Sequence, residues 1–241
     1  MTHASEDRPL GAAVADWTPP RAPSGDVLEG RYARLELLSA ETHAALLFGT
    51  YVGHDHVWDY LPYGPFSSSA LYHKWVREMS EAQDPYFYAI RDLETGAYGG
   101  VASYLRITPQ AGTIEVGHIN FSPQLQRTRA ATETMYLMMR WAFEAGYRRY
   151  EWKCDALNRP SRRAAQRLGF SYEGVFRQAV VVKNRNRDTA WYAAIDKEWP
   201  ALREAYDAWL RPLNFDEQGR QIERLGDMTR LVRVAGDPTL R

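Results

Sequence analysis

Residues 113–121, TIEVGHINF, cannot form a regular strand. Ile114 and Val116 share one face, whereas Ile119 and Phe121 fall on the opposite parity, and strand side chains alternate with period two. One extra residue near Gly117-His118 restores the phase, so the sequence predicts a β-bulge there. The strand leads through SPQLQRTRAATE into a helix over residues 130–145. Met135, Met138, Met139, Trp141, Ala142 and Phe143 make that helix apolar almost all round, and Gly146 suits its C′ position. Such a helix must lie buried against a sheet. A bulged strand that feeds a buried helix points to a mixed α/β layer structure.

The remaining pattern agrees with layers. Residues 1–26 hold four prolines among alanines and charges and read as a flexible arm. From Gly30, RYARLELL alternates as a strand, and Ser39 then caps a helix through about residue 48. HDHVWDYLPYGPF is an aromatic loop punctuated by glycine and proline, and a second helix runs over 68–82. Strands follow at 86–91 and 99–107, parted by the turn Glu94-Thr95-Gly96. After the buried helix, RYEWKCD puts Tyr150, Trp152 and Cys154 on one face. Asn158 opens the short helix NRPSRRAAQRLGF, with Pro160 in its first turn. Strands at 174–183 and 188–195 flank a turn at Asn184-Arg185-Asn186, a helix spans 199–210, and a polar tail closes the chain.

Composition narrows the class. With 241 residues, 45% hydrophobic and 25% charged, the chain can bury a full core in one domain with extensions. Its 30 basic and 30 acidic side chains cancel, which argues against nucleic acid or a membrane surface as partner. Cys154 is the single cysteine, so an internal disulfide and a cysteine zinc cluster are excluded. His54-x-His56 has no further ligands at a metal-binding spacing, and no metal is expected. MTHASEDRPLG carries charge where a signal peptide needs an apolar core, and no apolar run reaches the roughly 20 residues of a membrane helix. A cytoplasmic location is the expectation.

Three motifs carry a resemblance to the GNAT acetyltransferase superfamily, and within it to the RimJ/RimL-type branch that acetylates protein N-terminal amines. The family loop reads Gln-x-x-Gly-x-Ala ahead of Thr-Glu; here QRTRAA (Gln126, Arg127, Thr128, Arg129, Ala130, Ala131) precedes Thr132-Glu133. The branch motif Asn-x-x-Ser-x-Arg before Leu-Gly-Phe matches Asn158, Ser161, Arg163 and Leu168-Gly169-Phe170. The bulged strand matches Glu-x-Gly at Glu115 and Gly117. The resemblance implies one acetyltransferase domain over 27–211, with an arm before it and a C-terminal extension over 212–241. It also implies a central strand pair splayed at the bulge, acetyl-CoA as co-substrate and a small-molecule or peptide amine as acceptor; a homodimer is open. The rival reading is a non-catalytic acyl-CoA-binding or regulatory module.

The departure lies in the loop, where Arg127 and Arg129 stand at the positions of the family glycines. A phosphate cradle works through backbone N–H groups and a helix dipole, so arginines at helical φ can keep it and add charge-assisted bonds to pyrophosphate. Acyl transfer to an amine then needs a base, an oxyanion donor and an acid for the thiolate. Glu115 is the candidate base, or else a charge on a solvated strand face. His118 is its rival. The backbone at Ile119 and Phe121 would pair with the pantetheine arm. Ser161 would meet the CoA sulfur, Asn158 the pantetheine and Arg163 the phosphates, although the serine and asparagine also suit plain capping roles. Trp58, Tyr60, Tyr63 and Trp191 would wall the acceptor site or fill core. Cys154 reads as core, not as a nucleophile. The basic turn KNRNRD reads as solvated, or as a lure for an acidic acceptor.

Overall fold

A computed structural model describes residues 10–240. In chain order the elements are β1 (Leu28–Glu29), β2 (Ala33–Leu37), α1 (Ala40–Tyr51), α2 (Ser69–Glu81), β3 (Tyr86–Asp92), β4 (Tyr98–Thr108) and β5 (Thr113–Phe121). They continue with α3 (Arg129–Glu144), β6 (Arg149–Asp155), α4 (Arg159–Arg167), β7 (Ser171–Val182), β8 (Arg185–Ile195), α5 (Trp199–Trp209) and α6 (Leu225–Arg230). The first four α-helices start where side-chain oxygens take up orphan N–H groups: Ser39, Ser68, Thr128 and Asn158 cap α1, α2, α3 and α4.

All eight strands form one mixed sheet in the order β1-β2-β3-β4-β5-β6-β8-β7. The larger core lies on the face covered by α3 and α5, with Met138, Met139 and Ala142 fully buried against Ile114, Tyr150 and Tyr192. On the opposite face, α1 and α2 pack Leu47, Tyr72 and Val76 over Phe87, Ala89 and Val101. No helix among the described residues is long and apolar enough to cross a membrane.

The parity argument holds. Ser103 pairs with Gly117 and Val101 with Asn120, so β5 carries one more residue than β4 across this step. His118 sits in the bulge at φ +50°, and beyond it Ile119 and Phe121 again pack on the α3 side. The parallel pair β5–β6 is registered only from Thr113↔Arg149 to Val116↔Trp152, although β5 runs on to Phe121 and β6 to Asp155. The two strands therefore part at the bulge.

Three expectations change. The β7–β8 turn is the pair Lys183-Asn184, at φ 49° and 59°, the left-handed pair that a two-residue type I′ hairpin needs, and Arg185 already belongs to β8. The polar tail is built into the fold: it contains α6, buries Leu225 and Thr229 fully, and leaves Asp237 only 3% exposed. The expected flexible arm falls in part on residues 1–9, outside the described residues. Residues 17–26 are docked: Trp17 Nε1–H donates to the Gln110 carbonyl at 3.2 Å, and Trp141 Nε1–H donates to Asp26 at 2.8 Å.

Candidate active site

The gap between β5 and β6 organises the site. On its β5 rim, the bulge turns His118 toward α2 and away from the α3 core. Its Nδ1 lies 2.8 Å from Tyr63 Oη, and the two rings stack at 5.6 Å and 14°. Burial holds the imidazole down at about 4, and the nearby Arg106 and Arg187 guanidiniums add to the effect, so the ring is neutral at pH 7. Tyr63 comes from the aromatic loop between the first two helices and rests on Trp75. Trp58, expected as a wall, is 2% exposed and packs among Tyr51, Phe66, Tyr72 and Trp75, so it is the loop's core anchor. Tyr60 is exposed and its hydroxyl donates to the Leu157 carbonyl at 3.4 Å, which ties the loop to the turn before α4. Trp191 lies on the same side of the sheet, with Lys153 Nζ 3.8 Å from its ring centre and Phe176 stacked on it.

Glu115 points to this face but is no solvated strand residue: it is 3% exposed. Arg106 Nη1 donates to both of its oxygens at 2.8 Å, and Lys153 Nζ stands 2.9 Å away and also reaches Glu151 at 2.7 Å. Burial pushes the Glu115 carboxyl above its ordinary value, against the pull of Lys153 and Arg106. Two cations already occupy this carboxylate, and that makes it their anchor more than an open base.

The β6 rim and α4 form the other wall. Asn158 Oδ1 accepts the Ser161 N–H at 3.0 Å, and Ser161 Oγ accepts from Trp152 Nε1–H at 3.1 Å. Ser161 thus sits over the end of β6, its hydroxyl between the Trp152 indole N–H and the Cys154 thiol. Cys154 beside it is buried, and burial pushes its thiol up. Arg163 projects from α4 into solvent. Its neighbour Arg162 turns inward and binds Asp237 through Nε and Nη2, both at 2.7 Å. Motif spacing does not show which of two adjacent arginines is buried; the partner lies 75 residues on.

At the end of β5, the loop to α3 is closed locally. Gln126 and Thr128 N–H groups return to Ser122 and Leu125 carbonyls, Gln126 Nε2 donates to the Phe121 carbonyl, and Thr128 Oγ1 accepts the Ala131 N–H. The N–H groups of Arg127, Arg129 and Ala130 have no acceptor among the described residues. Three uncommitted donors at a helix N-terminus suit phosphate oxygens. The arginines behave otherwise than expected. Arg127 is at φ +65°, the left-handed region that favours glycine, and not at helical φ. Arg129 does not face the loop: its guanidinium bonds Glu94 and lies over Tyr32 and Phe215, 4.8 and 5.0 Å from the ring centres. Neither of these contacts is visible in the loop's own sequence.

Comparison with known proteins agrees with this geometry. The family described as acetyltransferase (GNAT) domain matches residues 34–171, more than half of the chain. A GCN5-related N-acetyltransferase from Brucella melitensis superposes with a TM-score of 0.88 at 44% identity, covering 90% of this chain and all of that one. An uncharacterized N-acetyltransferase of Bacillus subtilis, YnaD, is 25% identical over 150 residues, which is 62% of this chain and 86% of that protein. RimL, a ribosomal L7/L12 α-N-protein acetyltransferase, shares the fold at a TM-score of 0.61 and 21% identity, covering 73% of this chain and 98% of that one. The chain belongs to the GNAT acetyltransferase family and is an N-acetyltransferase.

Proposed function

We propose that the protein transfers an acetyl group from acetyl-CoA directly to the α-amine of a small molecule or peptide, with both bound at once. The observation that carries this reading is the parting of β5 and β6 beyond Val116–Trp152, between a helix N-terminus with three uncommitted N–H donors and an aromatic wall that holds a neutral His118. The N–H groups of Arg127, Arg129 and Ala130 would hold the pyrophosphate, and the β5 edge from Ile119 to Phe121 would take the pantetheine arm as an added strand. Acetyl-CoA supplies the activated acyl group and a thiolate leaving group. Ser161, oriented by Trp152, can give its proton toward that sulfur.

The amine must arrive neutral. An α-ammonium near pKa 7.7–8.0 loses its proton far more readily than a lysine ammonium near 10.4. In the tautomer that donates Nδ1–H to Tyr63, His118 Nε2 is a bare acceptor for the proton released. A thiol-release assay with acetyl-CoA against panels of α-amines and ε-amines tests the reading. Release is expected with α-amines, and His118→Ala should lower kcat by about 10²-fold or more with CoA affinity kept. CoA binding without release from any amine would make the protein a binding module.

A further inference from the structure

One arginine on the acceptor side of the cleft is partly buried, with no counter-ion among the described residues. β8 pairs with β6 without interruption from Asp155↔Thr189 to Arg149↔Ile195, so its alternation is unbroken. Ala190, Tyr192 and Ala194 enter the core under α3. Thr189 and Trp191 therefore point to the other face, the one that carries Lys153, Glu115 and His118, and Arg187, farther along β8 beyond the β6 pairing, lies close enough to His118 for its charge to act on that ring. The cations beside it are matched: Arg106 is held by Glu115, and Lys153 by Glu115 and Glu151. Arg187 is not, since its Nε is buried with no acceptor and it joins none of the ion pairs among the described residues. The adjacent Asp188 accepts from the Gln178 N–H and Asn186, and Asp84 accepts from the Arg106 and Ile107 N–H groups.

The hairpin that carries Arg187 is tied to the aromatic loop. Lys183 Nζ, from the β7–β8 turn, donates to the Trp58 carbonyl at 2.9 Å and closes the hairpin against the aromatic loop. The same loop supplies Tyr63 to His118. Arg187 thus belongs to the hairpin strand that closes against this loop, with its charge acting on His118, where an acceptor would arrive. A partly buried guanidinium with an unmet donor is a costly arrangement unless a ligand completes it, and a carboxylate does so in bidentate fashion.

We propose that Arg187 is a specificity-determining residue that binds a carboxylate on the acceptor, so that the preferred amines carry an acidic group. The proposal rests on the acetyl-transfer reading above. Two sources share this chemistry: an acidic first side chain of a peptide, and the α-carboxylate of a free amino acid. The test uses matched pairs, Glu-initiated against Gln-initiated peptides and free amino acids against their amides. Thiol release gives kcat/KM, and calorimetry of the N-acetylated forms in the presence of CoA reads binding without turnover. The carboxylate member of at least one pair should be favoured about 10–100-fold in both assays, the range of a charged hydrogen bond, and the responding pair names the source. Arg187→Gln should shrink that preference to within about threefold, and Arg187→Lys should recover part of it, with CoA affinity and melting temperature kept. Equal handling of both pairs by the wild type, or a preference that survives Arg187→Gln, overturns the proposal. A carboxylate preference in binding that Arg187→Gln removes, with no thiol release from any amine, would leave the anion site standing and refute acetyl transfer.

Discussion

His118 links three things at one position: a strand irregularity, a buried ring and a neutral imidazole. The fold holds the imidazole at about 4 against an ordinary 6.5, so the folded state prefers the neutral ring. Above pH 6.5 the ring is neutral folded or unfolded. As pH falls from 6.5 toward 4, the unfolded chain takes up a proton that the folded chain refuses, and stability is lost, by at most about 3 kcal/mol. Denaturant titrations across that window should show the loss. His118→Asn, which tolerates the bulge's positive φ, should flatten it; the slope that remains belongs in part to His43, also depressed by burial. The same shift removes histidine from the rate profile: kcat/KM should rise with the acceptor amine's own ionisation near pH 8 and show no inflection between pH 6 and 7. Glu115→Gln tests the neighbouring carboxylate. It should cost about 1.5–3 kcal/mol of stability, because Arg106 and Lys153 lose a charged acceptor. Full stability in that variant would show that the ion cluster holds nothing.

The loop and first turn of α3 show how a proposed phosphate cradle can do without the glycines expected there. The cradle consists of N–H groups, and these survive any side chain that the backbone tolerates. Arg127→Gly relieves a left-handed arginine but frees the unfolded chain, so its net effect should stay within about 1 kcal/mol. Its CoA affinity should fall by less than about tenfold, and the deficit should vanish at high salt, since the guanidinium is exposed and screened. Arg129→Ala should do the reverse: CoA binding within about twofold, and about 1–2 kcal/mol of stability lost with the Tyr32 and Phe215 stacks. Calorimetry and melting curves on the two variants separate these roles. The order of elements and the bulge were legible because periodicity is local: Ile114, Val116, Ile119 and Phe121 reveal the slip without any tertiary knowledge. The partners of Glu115 and Arg129 were not legible, because they come from neighbouring strands and a distant loop. Within the irregular aromatic loop there is no period to read, so nothing marked Tyr63 as the residue facing the cleft and Trp58 as the one beneath it.

At the scale of the whole molecule, the C-terminal segment acts as a strap across α4, the helix that carries one wall of the cleft. Thr229 donates to the Arg167 carbonyl, the Val234 N–H bonds Ser171, and the Tyr172 N–H bonds the Ala235 carbonyl. The centre is Asp237, whose carboxylate accepts two bonds from Arg162 and one from Tyr192. These bonds hold its pKa below the ordinary carboxylate value despite burial, so its contribution is present above pH 3.8 and is lost as pH falls below that. Removing one member of a buried charge pair costs more than the pair itself contributes, because the other charge is left in the interior. Asp237→Ala should therefore cost about 3–5 kcal/mol, a melting shift of about 10 °C for a chain of this size. A double variant that replaces Arg162 and Asp237 with apolar residues of similar volume should recover most of that loss. If α4 depends on the strap for its position, the single variant should also raise the KM for acetyl-CoA, since Asn158 and Ser161 sit at the start of the same helix. A variant with the melting loss but an unchanged KM would show that α4 is held by β6 and β7 alone, and that the tail stabilises the fold without shaping the site.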